Sequence, residues 1–340
     1  MGLFDFLTTD IGIDLGTANT LIVYDDEVVV NQPSIVAVDR MSGRIIAVGE
    51  EAQQMHEKTH EKYKTIRPLR DGVIADFTVA ESMIQAMIKL LPRKGWFYPK
   101  SYRMVICVPS GITEVERRAV TDSAEHSGGK DVRLIDEPMA AAIGIGLDVK
   151  APTGYMVVDI GGGTTEIAVI ALSGIVTDQS IRIAGDEFND DILDYMRKQH
   201  NMLIGERSAE RIKIEVGAAL PDLETPPEPI EIRGKDLMSG IPKTIKISHT
   251  EVAEALNKSI TKIEDAVLKA LESTPPELSA DIYEQGIYIT GGGALLRGLD
   301  KRLHIKTQLP IHVAEDPLKA VVRGTAIVLK NLDEYKYLTT

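Results

Sequence analysis

The sequence predicts an α/β fold built as two related α/β domains, mixed sheets flanked by helices, facing one another. Three observations carry this. Two glycine-bearing acidic turns recur far apart: Asp14-Leu-Gly-Thr-Ala-Asn-Thr20 after the apolar Ile11-Gly-Ile13, and Asp159-Ile-Gly-Gly-Gly-Thr-Thr165 after Tyr155-Met-Val-Val158. Each turn leads from one strand into a second, Leu21–Tyr24 and Ile167–Ile170. In both parts of the chain strands come first and then alternate with helices, an order that gives mixed sheets covered by helices.

Taken in order, residues 11–48 read as strands Ile11–Leu15, Leu21–Tyr24, Val28–Asn31, Ser34–Asp39 and Ile45–Val48, with Asp25-Asp26 as a hairpin turn. A polar, helix-favouring segment, Glu50–Lys64, follows. Asp76–Leu91 carries Val79, Met83, Ile84, Met87, Ile88 and Leu91 at the spacing of a one-faced helix. Strand Met104–Val108 ends at Pro109. Thr113 with Glu116 forms a capping box for a helix that stops near Gly128-Gly129. Pro138 suits a helix start, and Ala140–Ala142 permit close packing between domains. Strands follow at 155–159, 166–172 and 175–183, then a helix from Asp186 to His200 and another from near Ser208. Pro221 and the cluster Pro226-Pro227-x-Pro229 mark a loop, because strand-like Pro229–Arg233 and Lys243–Ile247 come next. Ser248–Leu271 is a long helix with Val252, Leu256, Ile260, Ile263, Val267 and Leu271 on one side. Strand Gly286–Thr290 enters a third glycine turn, Gly291-Gly-Gly293, and Leu318–Leu332 is a closing helix.

At 340 residues the chain is long enough for two domains. Hydrophobic residues at 44% and charged residues at 26% suit a folded globular protein. The single cysteine, Cys107, lies inside the apolar run Met104-Val-Ile-Cys-Val108, which excludes a disulfide framework and cysteine zinc sites. It reads as a buried strand residue in a reducing cytoplasm. A net charge of −13 argues against a nucleic-acid binder. No apolar stretch reaches the ~20 residues that cross a bilayer. Met1–Leu7 lacks the basic leader and long apolar core of a secretion signal, and Phe6 stands where a myristoylation motif wants Ser or Thr.

Glycines let a backbone turn sharply and bring its N–H groups close to an anion. A hydroxyl and an aspartate in the same turn supply what phosphate and a hydrated cation need. Thr17-Ala-Asn19 suits one side of a nucleoside triphosphate and Gly161-Gly-Gly163 the other, with Asp14 and Asp159 as a water-mediated seat for Mg2+. The common nucleotide signatures are missing: Gly129-Lys130 and Gly234-Lys235 are both followed by Asp, and no dinucleotide fingerprint opens a helix. Glu137, at the edge of a helix between the two turns, is a candidate for orienting an attacking water.

The set Asp14–Thr20, Asp136–Gly146, Asp159–Thr165, Thr290–Leu296 and Val322-Arg-Gly-Thr-Ala326 resembles the five-motif pattern of the actin–Hsp70–sugar kinase superfamily. Within it, Ile13–Tyr24, Glu137-Pro-Met-Ala-Ala-Ala-Ile-Gly144 and Ala209-Glu-Arg-Ile-Lys213 are similar to the bacterial rod-shape-determining MreB family, a likeness running from about Ile11 to Leu332. The resemblance implies an actin-like fold around a central nucleotide cleft. Domain I would be 1–148 with the C-terminal helix 318–340, its small subdomain at about 32–66; domain II would be 149–317, its small subdomain at about 184–243. It implies ATP and Mg2+, and slow hydrolysis coupled to filament assembly. Glu137 and Thr164 would hold the attacking water, and Thr17, Ala18, Asn19, Gly161, Gly162 and Gly163 would meet the phosphates. Glu210, Arg211, Ile212 and Lys213 would flank the nucleoside, Glu210 and Lys213 sharing a helix face at i,i+3. Gly291, Gly292, Gly293 and Ala294 would close over it. Asp136 departs from the family pattern, where a second Glu is expected.

The same resemblance implies self-assembly into paired protofilaments and peripheral attachment of a cytoplasmic protein to the inner face of the cytoplasmic membrane. Membrane proteins of the cell-wall elongation machinery would be its partners in maintaining rod shape, with no nucleic acid involved. The membrane contacts would be Leu3, Phe4, Phe6 and Leu7, which fall on one side of a helical start opposite Asp5. Trp96, Phe97 and Tyr98 would join them, in a loop flanked by Arg93, Lys94, Lys100 and Arg103. Three alternatives share the superfamily pattern. A sugar or acid kinase needs a catalytic aspartate for a substrate hydroxyl, and no further motif nominates one. A chaperone nucleotide-binding domain would continue beyond Tyr335–Thr340. A plasmid or organelle segregation filament would match the quoted wording less fully.

Overall fold

Two consecutive aspartates in left-handed backbone, Asp25 and Asp26 at φ 54° and 69°, make the first hairpin turn as its sequence requires. The computed structural model describes residues 8–58, 61–92 and 101–340. From that turn outward the first half is β1 (Thr8–Leu15), β2 (Asn19–Tyr24), β3 (Glu27–Pro33), β4 (Val36–Asp39), β5 (Ile45–Val48), α1 (Glu50–Met55), β6 (Tyr63–Ile66), β7 (Leu69–Arg70), β8 (Val73–Ile74), α2 (Phe77–Ile88), β9 (Ser101–Val108), α3 (Glu114–His126), β10 (Gly129–Asp136) and α4 (Glu137–Gly144). The second half is β11 (Tyr155–Ile160), β12 (Thr165–Ala171), β13 (Gly174–Ile181), α5 (Gly185–His200), β14 (Met202–Leu203), α6 (Glu206–Val216), β15 (Ile230–Asp236), β16 (Pro242–Ile247), α7 (His249–Glu272), α8 (Pro276–Gln285), β17 (Ile287–Thr290), α9 (Leu299–Thr307), β18 (Ile311–Val313) and α10 (Ala320–Lys330).

The two halves share one plan. The first sheet runs β3-β2-β1-β9-β10 and the second β13-β12-β11-β17-β18. In each, an antiparallel meander supplies three strands, and two more strands join in parallel beside the first. Each half also carries a three-stranded appendage, β5-β4-β6 and β14-β15-β16. Both appendages turn on pentapeptides alike at four of five positions, Asp39-Arg-Met-Ser-Gly43 and Asp236-Leu-Met-Ser-Gly240. Asp39 Oδ1 accepts from the Met41 and Ser42 amides at 3.1 and 2.8 Å, and Asp236 Oδ1 from the Met238 and Ser239 amides at 3.0 and 2.8 Å. An aspartate that ties down its own turn in this way supports tight hairpins. The repeat is legible in the sequence and supports a common origin for the two halves.

Between the sheets lie α4 and α10. One cluster of buried residues takes Val105, Cys107 and Ile135 from the first sheet, Val157, Ala168 and Ile170 from the second, and Met139–Ile143 with Val328 from the two helices. Cys107 is thus the buried strand residue expected. The helices touch backbone to backbone. A Cβ on Gly144 would fall 1.8 Å from the Ala320 carbonyl oxygen, and one on Gly324 would fall 1.8 Å from that of Ala140. Ala140–Ala142 join residues of both sheets in that cluster, the close packing between halves expected of them.

Capping agrees with the sequence at several points. The Thr113–Glu116 box opens α3, Asp76 accepts from the Val79 amide at 3.1 Å to open α2, and Ser248–Glu251 forms a second box at α7. Glu50–Lys64 is corrected: it is a short helix to Met55, a turn with Glu57 at φ 60°, and strand β6 from Tyr63. Strands β7, β8, β10, β14 and β18 and helices α8 and α9 are additional to the sequence reading. The membrane candidates Leu3, Phe4, Phe6, Leu7, Trp96, Phe97 and Tyr98 lie outside the described residues, as do Arg93, Lys94 and Lys100. Arg103, grouped with them, is an ion-pair partner of Asp10 on the adjacent strand. Among the described residues no helix is long and apolar enough to cross a membrane.

Gly324→Ala is expected to lower the unfolding free energy by about 3 kcal/mol, the upper end for overpacking, because the obstacle is main chain. Urea denaturation measures it; a loss below ~1 kcal/mol would contradict the backbone contact between α4 and α10.

Candidate functional site

Each glycine turn is built by its neighbours. A Cβ at Gly16 would fall 2.6 Å from the Asn19 carbonyl oxygen, so the β1–β2 turn is too tight for a side chain there. Ser34 braces it, its hydroxyl donating to the Gly16 carbonyl at 2.6 Å and its amide to the Ala18 carbonyl at 2.9 Å. In the β11–β12 turn the Gly161 amide donates to the Thr164 carbonyl at 2.9 Å. The first amides of α5, Gly185 and Asp186, donate to the Gly161 and Gly162 carbonyls at 3.1 and 2.8 Å.

The turns meet. A Cβ on Gly162 would lie 2.6 Å from Ala18 Cβ, and one on Gly163 would lie 2.9 Å from Thr17 Oγ1. The third turn packs behind the second: Gly291, at φ 78°, would place a Cβ 2.5 Å from Asp159 Oδ1. Thr290 donates to that same oxygen at 3.1 Å. Together they form the floor of a cleft of about 760 Å³. Asp14, Asp159, Glu137 and Thr164 all line it, as do Thr17, Ala18, Asn19, Gly161, Gly162 and Gly163. So do Glu210, Lys213, Gly291, Gly292 and Gly293.

Three expected contacts have side chains elsewhere. Arg211 is on the outer face of α6, its Nε donating to Glu215 at 2.8 Å. Ile212 and Ala294 are buried in the core of the second half. Helical geometry accounts for α6: Glu210 and Lys213 share a face, and the residues between them turn away. Lys213 Nζ donates to Glu210 Oε2 at 2.7 Å and to the Gly185 carbonyl at 2.9 Å, while Asn189 donates to the same Glu210 oxygen at 2.7 Å. The α6 pair is thereby tied to the start of α5.

The sequence reading missed the residues at the cleft mouth. Glu206, first in α6, is held by three groups of the first half. His56 Nε2 lies 2.9 Å from its Oε2, Arg67 forms an ion pair with its Oε1, and Glu57 Oε1 accepts from its amide at 2.9 Å. His56 and Arg67 also line the cleft. They join the two appendages across the opening.

Acids crowd the floor, Asp159 buried and Asp14 and Glu137 half-buried. Burial, then the neighbouring Asp159 charge, pushes Asp14 up to about 7. Burial with Glu166 pushes Asp159 up to about 7 against the Thr290 hydrogen bond. Burial, followed by Asp14 and Asp159, raises Glu137 well above the usual carboxylate range. Such a cluster favours a cation. No group of three side chains among the described residues is arranged to hold a metal directly. Two carboxylates beside glycine turns fit Mg2+, which keeps several of its waters.

A model of the MreB/Mbl protein family matches residues 8–337. The chain belongs to that family. It is 52% identical to the cell shape-determining protein Mbl of Bacillus subtilis, over 96% of this chain and 97% of the relative. It is 50% identical to the cell shape-determining protein MreB of Escherichia coli, over 96% and 94%. The solved structure of MreB 5 of Spiroplasma citri bound to AMPPNP superposes with a TM-score of 0.91 at 37% identity, covering 97% of this chain and 98% of that one. A MamK double helical filament shares the fold at a TM-score of 0.79 and 22% identity, covering 95% and 99%. The fold is actin-like, and the family is one of cell shape-determining cytoskeletal proteins.

The raised carboxyls set a pH dependence. Asp14 and Asp159 hold protons in the folded chain up to about pH 7, whereas their ordinary value is 3.8. Between those limits the folded state binds more protons than the unfolded one, so stability falls as pH rises. The contribution is complete below the lower limit and gone above the upper. Without metal or nucleotide, the melting temperature is expected to fall from about pH 5 to about pH 8, and Asp14→Asn to flatten the fall. A melting temperature that rises across this window, or an unchanged slope in Asp14→Asn, would contradict the burial of these acids.

Proposed function

We propose that the chain is an ATP-dependent, actin-like filament protein that hydrolyses ATP slowly in step with assembly and helps maintain rod shape at the cytoplasmic membrane. The observation that carries the reading is the contact of the two glycine turns over Asp14 and Asp159. A polyphosphate there meets backbone N–H groups from both halves at once. Asp14 and Asp159 would hold magnesium through water, which when bound would supply charge to neutralise the phosphates, and the chain's own groups do the rest. Thr17–Asn19 and Gly161–Gly163 cradle the phosphates; Glu210 and Lys213 flank the nucleoside under Gly291–Gly293. Glu137 and Thr164 orient the attacking water. Phosphoryl transfer depends chiefly on such positioning. Relatives solved with AMPPNP and with ADP support nucleotide binding.

The arrangement also explains why assembly and hydrolysis belong together. Glu137 lies in the first half and Thr164 in the second, so the pair is complete only when the halves are held closed. The MamK filament, of the same fold, supports self-association. The two sheets, with α10 lying against α4, support a division into domain I, 1–148 with 318–340, and domain II, 149–317.

The membrane part rests on the sequence of the two apolar segments and on where they join the body. Thr8, just after the first segment, is the register partner of Ser101, just after the aromatic loop. Thr8 and Ser101, where the described chain takes up after each segment, therefore stand side by side at one end of the first sheet. A chain of charge −13 is repelled by an anionic leaflet, so insertion must do the binding. Each inserted Phe or Leu contributes at most roughly 1.5–3 kcal/mol. One monomer binds weakly, and a filament binds through many copies. Wall-elongation membrane proteins would then follow the filament.

Two measurements test this. Glu137→Ala is expected to keep ATP affinity and pelleting while slowing phosphate release by about a hundredfold; release at the wild-type rate removes Glu137 from the water-orienting role. Cosedimentation of filaments with anionic vesicles should be lost in Phe4→Ala with Trp96→Ala, and unchanged binding would refute the membrane assignment.

A further inference from the structure

Glu166 has no solvent exposure and makes no ion pair among the described residues. It faces Asp159 across the β11–β12 ladder, so its side chain leaves the same side of the sheet. Both of its oxygens are taken by hydroxyls. Ser180 Oγ donates to Oε1 at 2.7 Å from β13, the next strand of the same sheet. Ser110 Oγ donates to Oε2 at 2.9 Å from the connection between β9 and α3. The first bond is internal to the second half; the second crosses between halves.

Burying a carboxyl is costly even with the Ser180, Ser110 and Thr164 hydroxyls and the Ser110 amide as partners, and an apolar residue would fill this place more cheaply. The surroundings say what it does. A Cβ on Gly72 would fall 2.9 Å from Pro109 Cγ and 3.1 Å from Thr164 Cγ2. The Gly72 amide in turn donates to Thr17 Oγ1 at 3.1 Å. Pro109 and Ser110 of the first half thus pack beside Thr164 and Glu166 of the second, at the phosphate end of the cleft.

Resting on the nucleotide reading above, we propose that Ser110 and Glu166 are a positioning pair, whose hydrogen bond across the halves holds Thr164 in register with Glu137 for hydrolysis. The need is physical. The two water-orienting groups belong to different halves, and a misplacement of about 1 Å at a reacting centre costs on the order of a hundredfold in rate. Ser180 holds the same carboxyl but spans no such joint.

The two serines therefore make a matched test. Wild type, Ser110→Ala, Ser110→Thr and Ser180→Ala are compared for affinity for a fluorescent ATP analogue, ATP-dependent pelleting, and phosphate release per pelleted subunit. Ser110→Ala is expected to slow release roughly tenfold with affinity and pelleting within about twofold. Ser110→Thr should restore release, and Ser180→Ala should stay within about threefold of wild type. Equal slowing by both alanine variants, normal release in Ser110→Ala, failure of Ser110→Thr to restore it, or a parallel loss of affinity each overturns the pair. A wild-type protein that binds no ATP analogue overturns the nucleotide reading itself, and this inference with it.

Discussion

The approach of a glycine turn to Thr17 and Ala18 of a second turn is the constraint on which the molecule depends. Ala18 and Gly162 occupy the same few ångströms of space, and a Cβ on the glycine would close it. Because each turn also begins with an aspartate, the contact that joins the halves also brings two carboxylates into one cleft. Neither acid would choose that place alone, and burial raises both. The fold supplies a site whose unfavourable charge a bound cation would relieve.

Holding that contact requires a joint that is close and stiff on one side and adjustable on the other. The cluster packed around α4 and α10, drawn from both sheets, provides the first. At the mouth, the connection is polar and partly exposed: His56, Glu57 and Arg67 on Glu206. Exposed and half-buried ion pairs contribute modestly and exchange with water readily. The cleft is thus fixed at its hinge and reversible at its opening, the arrangement a nucleotide pocket requires if its ligand is to enter and leave.

Much of this was legible because it is local. A strand, an acidic glycine turn and a second strand can be read from a dozen residues, and so can the Thr113–Glu116 cap. The cleft mouth was not legible, because Glu206 meets partners about 140 to 150 positions away, and no local pattern announces such a pairing. Reading Glu50–Lys64 as one helix also hid the turn that presents His56 and Glu57. Edge strand β10 was concealed by its charged start, Lys130-Asp-Val-Arg133, and α9 offers only Leu299 and Leu303 to the core. Arg211 and Ile212 were carried with a contiguous motif, although helical periodicity already separates them from Glu210 and Lys213. The repeated Asp-x-Met-Ser-Gly turn was visible in the sequence and directly relates the two appendages.

The central claim is a shared seat for metal and polyphosphate between the halves. Crystals grown with a non-hydrolysable ATP analogue and Mn2+, measured at the manganese edge, test it most directly. The account predicts one anomalous peak between the carboxylates of Asp14 and Asp159, within the water shell of the metal and against the phosphates. A nucleotide bound outside the cleft, or a metal remote from both aspartates, would contradict it.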